Sequence, residues 1–244
     1  IRSLRILRPL LTVPPGRLRD CMTGQGVAWV AAPSNRDPHA LRARLRPLRN
    51  DPAGTGTATR ALADAARAAG RQRAARDEAV ARVLAARAAP RPEGFAILSP
   101  GPIAPEALAE LLRVVAGAGF TPGLDQVAGL AAHPEPCTVW GVRLLPAGRL
   151  GDGWLLVREE AAAAPPVPAV DQAVWDGRFR LHVRHPLPGD TVLGALGTAA
   201  ARVRRHSDLP AAVLRVMPAL WRGNFLVAVP QLFYPDATAC DGVN

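Results

Sequence analysis

The sequence predicts an α/β fold, and three observations carry that reading. A strand–helix–strand rhythm runs through residues 4–30, a proline-free stretch rich in alanine and arginine extends from about Thr57 to Ala89, and short apolar runs mix with helical ones from Pro92 onward. The first is the rhythm of a parallel sheet with crossover helices. The second favours one long helix. The third suggests a mixed α+β region, and no internal repeat is visible.

Each element has its own signal. Leu4 to Leu7 is apolar and bounded by Pro9, which suits a short buried strand. Pro14 and Pro15 suit the first turn of a helix, Leu18 and Met22 lie four apart on one face, and Gly24 and Gly26 end it. Val27 to Val30 then reads as a strand. After a turn at Pro33 to Asn35, Asp37 is a good N-cap and Pro38 a good first helical residue. Leu41, Leu45 and Leu48 form an apolar stripe, with Arg42, Arg46 and Arg49 on the neighbouring face. Asp51 to Thr57 breaks this helix, and its Gly54-x-Gly56 pair reads as linker, since no strand precedes it as a phosphate loop requires.

The long helix carries Arg60, Arg67, Arg71, Arg73, Arg76, Arg82 and Arg87 round its cylinder. That describes either a solvated connecting helix or one with a side lying on a nucleic-acid backbone. Beyond the boundary at Pro90 to Pro92, Phe95 to Leu98 reads as a strand and Pro105 to Ala118 as a helix with Leu108, Leu111 and Leu112 facing a core. A short helix follows at about Gly123 to Ala132. Cys137 to Leu145 and Trp154 to Arg158 read as extended runs joined into a hairpin by Pro146 to Gly153. Ala161 to Pro168 reads as a loose linker. Strands are expected around Phe179 to Val183 and Phe225 to Val229, with a helix near Ala195 to His206.

Composition narrows the function classes. At 244 residues and 49% hydrophobic content the chain can build real cores, so it is globular. Thirty basic residues face twenty acidic ones, a net charge of +10, and every basic side chain among them is arginine. A GC-rich coding bias accounts for the missing lysine but not for the positive excess. Such an excess predicts a polyanionic partner, nucleic acid first, with salt-sensitive binding. Cys21, Cys137 and Cys240 are widely separated and form neither a disulfide framework nor a metal knuckle, which fits a reducing cytosol. Arg2, Arg5 and Arg8 interrupt the opening apolar run, so it is not a signal-peptide core, and no run nears the ~20 apolar residues of a membrane span.

An independent active site is not legible. There is no serine elbow, no H-E-x-x-H and no phosphate loop. His39, His133, His182, His185 and His206 fall into no ligand spacing, so no metal site is expected, and Glu159-Glu160 reads as a solvated strand end.

Five linked elements, in order, resemble the tRNA(Ile)-lysidine synthetase family of PP-loop ATPases. They are Arg8-Pro9-Leu10-Leu11, a helix, Val27-x-Trp29-Val30, Pro33-Ser34-Asn35-x-Asp37 and Arg42-x-Arg44-x-Arg46. Further on, Gly141 to Leu145, Trp154 to Glu159, Trp175 to Phe179 and Leu209 to Trp221 resemble the tail of one bacterial branch of that family. The motifs depart from the family pattern at Ala32, where an acidic residue is usual, at Ala40, where an aromatic is usual, and at Ala43, where asparagine is usual. The chain opens at Ile1 without an initiator methionine, and it lacks the family's Ser-Gly-Gly-x-Asp-Ser ATP loop and its His-x-x-Asp-Asp region.

The resemblance implies a cytoplasmic ligase for tRNA processing. It would use ATP and Mg2+ to adenylate the wobble cytidine of tRNA(Ile) and let free lysine attack it, forming lysidine. It implies that residues 1–50 are the end of a Rossmann-like PP-loop domain, 51–91 a basic linker helix, 92–165 a helical and hairpin recognition region, and 166–244 a small α+β region. By analogy it implies a homodimer. No catalytic residue is carried over to this chain. Ser34, Asn35 and Asp37 would form a domain-closing turn, and Arg42, Arg44 and Arg46 would contact tRNA or nucleotide. Read from the residues alone, Asp37 is a helix cap, and the arginines are either such contacts or a solvated face. The expectation is a lysidine synthetase fragment that is inactive alone. The alternatives are a noncatalytic RNA-binding module and a decayed product whose exposed half-sheet invites aggregation.

Overall fold

The structure, a computed structural model, describes residues 9–30, 32, 37–48, 50–51, 53–183 and 187–235. Contacts divide the chain into two units, residues 2–77 and 78–244. The expected strand at Leu4 to Leu7 and the turn at Pro33 to Asn35 lie outside the described residues.

In the first unit, helix α1 (Pro15–Gly24) starts on proline as expected. It ends in a Schellman motif, with Gly26 at φ +64°, its N–H bonded to Thr23 O and the Val27 N–H bonded to Met22 O. That use of Val27 corrects the expected strand. Residues 27–30 join no ladder among the described residues, and Val30 is 91% exposed. Helix α2 (Leu41–Leu48) begins later than its N-cap signal implied, because the Asp37 carboxylate accepts the His39 N–H at 2.9 Å and closes a turn ahead of the helix. Its stripe is exposed at Leu41 and Leu45, and no described residue of this unit is fully buried. Gly16 N–H reaches Ala53 O at 3.3 Å, setting α1 against the loop that opens the long helix.

Helix α3 (Thr57–Arg87) is the alanine–arginine stretch, 31 residues long. Its last turns enter the second unit, where Val80, Val83 and Leu84 pack on the first of three apolar cores. Proline at N1 and a Schellman glycine also bound α4 (Pro105–Ala116), whose Leu108, Leu111 and Leu112 are buried. Helix α5 (Leu124–Ala132) completes the layer.

This layer covers a five-stranded antiparallel sheet in the order β1 (Ala88–Pro90), β2 (Ala96–Leu98), β5 (Trp154–Arg158), β4 (Val142–Pro146), β3 (Cys137–Val139). The expected run Cys137 to Leu145 is thus two strands, split by a two-residue turn with positive φ at Trp140 and Gly141. Pro90, expected as a boundary, sits on an edge strand where its missing N–H is tolerated. Alternation sends Ala96, Leu98, Leu144 and Leu156 to the first core. It sends Phe95, Leu155 and Val157 to the second, which they share with α6 (Ala200–Val203) and α7 (Ala211–Arg215).

A second antiparallel sheet runs β11 (Phe225–Ala228), β10 (Pro218–Arg222), β9 (Thr191–Ala195), β6 (Val167–Pro168). β6 falls inside the expected linker, and β9 with two short 3-10 turns takes up part of the helix expected at Ala195 to His206. A two-stranded hairpin, β7 (Val174–Trp175) and β8 (Phe179–Arg180), stands on the third core around Trp175, Leu193 and Leu220. The strand expected to reach Val183 ends at Arg180. The fold is mixed α/β, and all pairings among the described strands are antiparallel.

Candidate nucleic-acid interface

The cationic groups sort into buried ones with a structural task and exposed ones, some paired with a carboxylate and some without a carboxylate partner among the described residues. At 100° per residue, Arg60, Arg67 and Arg71 fall within about 40° of each other on α3 and span roughly 16 Å along its axis. All three are exposed. Arg67 is paired with Asp64 at 2.6 Å, whereas Arg60 and Arg71 have no carboxylate partner among the described residues. Arg73 and Arg76, on the opposite face, are likewise exposed and unpaired among the described residues. Arg82 meets Glu78 at 3.8 Å. Arg87 is different, since its guanidinium donates to the carbonyls of Ser99, Pro100, Gly101 and Pro102 and ties the helix end to that loop.

The loop that opens α3 is built round an internal anion. The Asp51 carboxylate accepts the N–H groups of Gly54, Thr55 and Gly56 at 2.9, 3.1 and 2.9 Å and the Thr59 hydroxyl at 2.5 Å. The Thr59 hydroxyl first, then the Gly56 amide, hold its carboxyl below the ordinary aspartate value. Backbone amides that would otherwise form an anion nest are therefore occupied, which explains physically why Gly54-x-Gly56 is no phosphate cradle.

The residues singled out in the sequence fall as follows. Ser34 and Asn35 lie outside the described residues. Asp37 forms its turn with His39. Arg42, Arg44 and Arg46 are all on α2, and the Arg44 side chain is exposed. Among the described residues no three His, Cys, Asp or Glu side chains stand together as a metal site, and no helix is long and apolar enough to cross a membrane.

Sequence reasoning missed the role of Trp175 to Phe179. Asp176 and Gly177 both have positive φ, the central positions of a tight turn within a three-residue connection between the paired Trp175 and Phe179. Asp176 bonds Arg178 at 2.7 and 2.8 Å and Arg158 at 3.2 Å, and it also accepts the Ala164 N–H. Arg178 donates to Gly94 O and Val216 O, and its guanidinium lies 4.9 Å from the Phe179 ring centre. Burial pulls the Arg178 pKa down, against the opposing charge of Asp176. Trp175, fully buried, donates its indole N–H to Ala164 O. Within the motif it is Arg178 that ties the hairpin to the backbone of Gly94 and Val216. The Asp-Gly turn was the one signal of this in the sequence.

A basic chain of mixed α/β architecture, with unpaired arginines along an exposed helix, has the physical character of a nucleic-acid-binding protein. Comparison with curated proteins is more particular. The chain is 32% identical over 240 residues to the tRNA(Ile)-lysidine synthase of Ruegeria pomeroyi, covering 92% of this chain and 55% of that protein. It is 30% identical to the enzyme of that name from Brucella suis over 99% of this chain and 57% of the relative, and to that from Caulobacter vibrioides over 86% and 45%. The chain is thus a homologue of tRNA(Ile)-lysidine synthases and spans about half the length of the curated relatives it matches. No family model and no solved structure matches it.

Proposed function

We propose that this chain is the tRNA-holding part of a tRNA(Ile)-lysidine synthase, and that α3 supplies the electrostatic contact. The observation that carries the reading is the exposed line Arg60, Arg67, Arg71, in a homologue of enzymes named for that tRNA. Arginine pairs phosphate bidentately and keeps its charge at any physiological pH. Arg42, Arg44 and Arg46 on α2 are proposed as further tRNA or nucleotide contacts, with Ser34, Asn35 and Asp37 as the turn that closes the preceding Rossmann-like domain. The division 1–50, 51–91, 92–165 and 166–244 is proposed with them.

The whole enzyme would be a cytoplasmic homodimer that joins lysine to the wobble cytidine using ATP and Mg2+. The described residues do not fit ATP and its metal. The amides of Gly54 to Gly56 are taken by Asp51, and no metal-ligand cluster is present among the described residues. No chemical step is therefore assigned to this chain, which is expected to form no lysidine alone.

The test is a filter-binding titration of tRNA(Ile) transcript against this chain at several salt concentrations. Affinity should fall steeply with salt, and a salt-independent affinity would sink the reading.

A further inference from the structure

A cavity of about 440 Å³ opens in the second unit beside β8, β9 and β10. Its size lies in the range of small-ligand pockets, roughly 300 to 1,000 Å³. Leu193 and Leu220 give it apolar walls and Phe179 an aromatic one, while Arg180, His182 and Gln231 are its polar lining. None of these polar groups takes part in the ion network of Asp176.

Three features narrow what fits. First, Phe179 is fixed before any ligand arrives: Trp175 stacks on it at 6.0 Å between ring centres, and Arg178 lies 4.9 Å from its centre. A preset aromatic wall favours a flat ring, because little side-chain freedom is lost on stacking. Second, the buried Gln231 Oε1 receives no hydrogen bond among the described residues. That oxygen is shielded as it stands, so it meets a ligand only once the amide turns. A primary amide pairs an acceptor with a donor, and rotation of its loose terminal torsion can turn that edge to the complementary edge of a nucleobase. Third, Arg180 is exposed and donates to the neutral Gln172 oxygens at 3.3 and 3.5 Å, with no carboxylate partner among the described residues. His182 is exposed too, with its Nδ1 3.0 Å from Gln172 Nε2. An uncompensated guanidinium at an apolar slot is complementary to a phosphate attached to a flat, hydrogen-bonding ring.

We infer that this cavity takes one unstacked base of an RNA strand, with the adjoining phosphate on Arg180. The inference rests on the reading that the chain binds tRNA and adds a second mode to it: a base drawn out of the strand, beside backbone contacts along α3.

The experiment uses the full chain and 2-aminopurine riboside 5′-monophosphate, whose fluorescence is quenched on stacking. Saturable quenching is expected, relieved by at least one natural nucleoside monophosphate and not by ribose 5-phosphate. Leu193→Trp, which fills the cavity, should weaken the probe at least about tenfold. Should that variant fail to fold by circular dichroism, Arg180→Ala and Gln231→Leu carry the test. Arg180→Ala should weaken the monophosphate more than the free riboside, and Gln231→Leu should weaken both. No saturable quenching, quenching unaltered in the folded variants, or displacement by dodecanoate more readily than by any nucleotide would overturn the inference. Filter binding of tRNA(Ile) in parallel separates the two claims. Bound tRNA with an unresponsive cavity removes the inference alone. Variant-sensitive quenching without tRNA binding removes the general reading and overturns the RNA strand as occupant, leaving a site for a free mononucleotide.

Discussion

Asp176 and Arg178, two residues apart across the turn of the β7–β8 hairpin, form an ion pair whose side chains are only 2% and 3% exposed. Arg158 shares the same carboxylate, so one buried aspartate offsets two guanidinium groups. Removing one partner of such a pair strands the other's charge in the interior, at about 3–5 kcal/mol. Asp176→Ala should therefore lower the melting temperature of the chain by on the order of 10 °C, read by calorimetry. Arg178→Lys should recover little, since a point charge cannot reproduce the fork to Asp176, Gly94 O and Val216 O.

Gly117 is the second point where this hairpin meets its support. It ends α4 at φ +67°, and a Cβ there would stand 2.1 Å from the Asp176 carbonyl oxygen. Gly117→Ala combines a left-handed conformation with a backbone collision. It should destabilise by about 2 kcal/mol or more in urea unfolding. Gly119→Ala, where nothing lies within 4 Å of the added carbon, is the matched control and should be nearly neutral.

Asp51 makes the start of α3 sensitive to acid. Its folded pKa lies below the ordinary value of 3.8, chiefly because Thr59 and the Gly56 amide bond the charged form. A depressed carboxyl pKa contributes stability that is fully present above the unfolded value and lost as pH falls through the folded one. Helicity at 222 nm should thus decline below pH ~4 in the wild type more than in Asp51→Asn, whose helix should already be frayed at neutral pH. Equal acid profiles in the two proteins would refute this role.

On α3, Arg60→Ala with Arg71→Ala removes two exposed cations while improving helix propensity, so the fold should be unaffected. If both meet phosphate, the slope of log affinity against log salt should drop by nearly two. Arg82→Ala, already paired with Glu78, should change it less.

Much of the helical layer was legible because it is written locally. Pro15 and Gly26 bound α1, and Pro105 and Gly117 bound α4, because proline presets the φ of a first helical turn and glycine takes the left-handed φ past a helix end without strain. Strand Val167–Pro168 is two residues long and exists only through its partners Leu193 and Val192, far along the chain, so no window of sequence could display it, whereas Val174–Trp175 pairs locally with Phe179–Arg180 and had the Asp-Gly turn as its one signal. Val27 to Val30 shows the converse, a good strand composition without a ladder. The candidate site was legible as charge alone. Which arginines are exposed and which buried depends on tertiary position: Arg178 and Arg180 differ by two residues and have opposite surroundings.

Strand β5 has a consequence for how the second unit comes apart. Leu156 belongs to one core while its neighbours Leu155 and Val157 belong to another, so a single five-residue strand is common wall to both. Neither half can melt without exposing the other's floor to water. The two cores that β5 divides should then unfold in one cooperative transition, and limited proteolysis should yield no stable piece that holds one of them without the other.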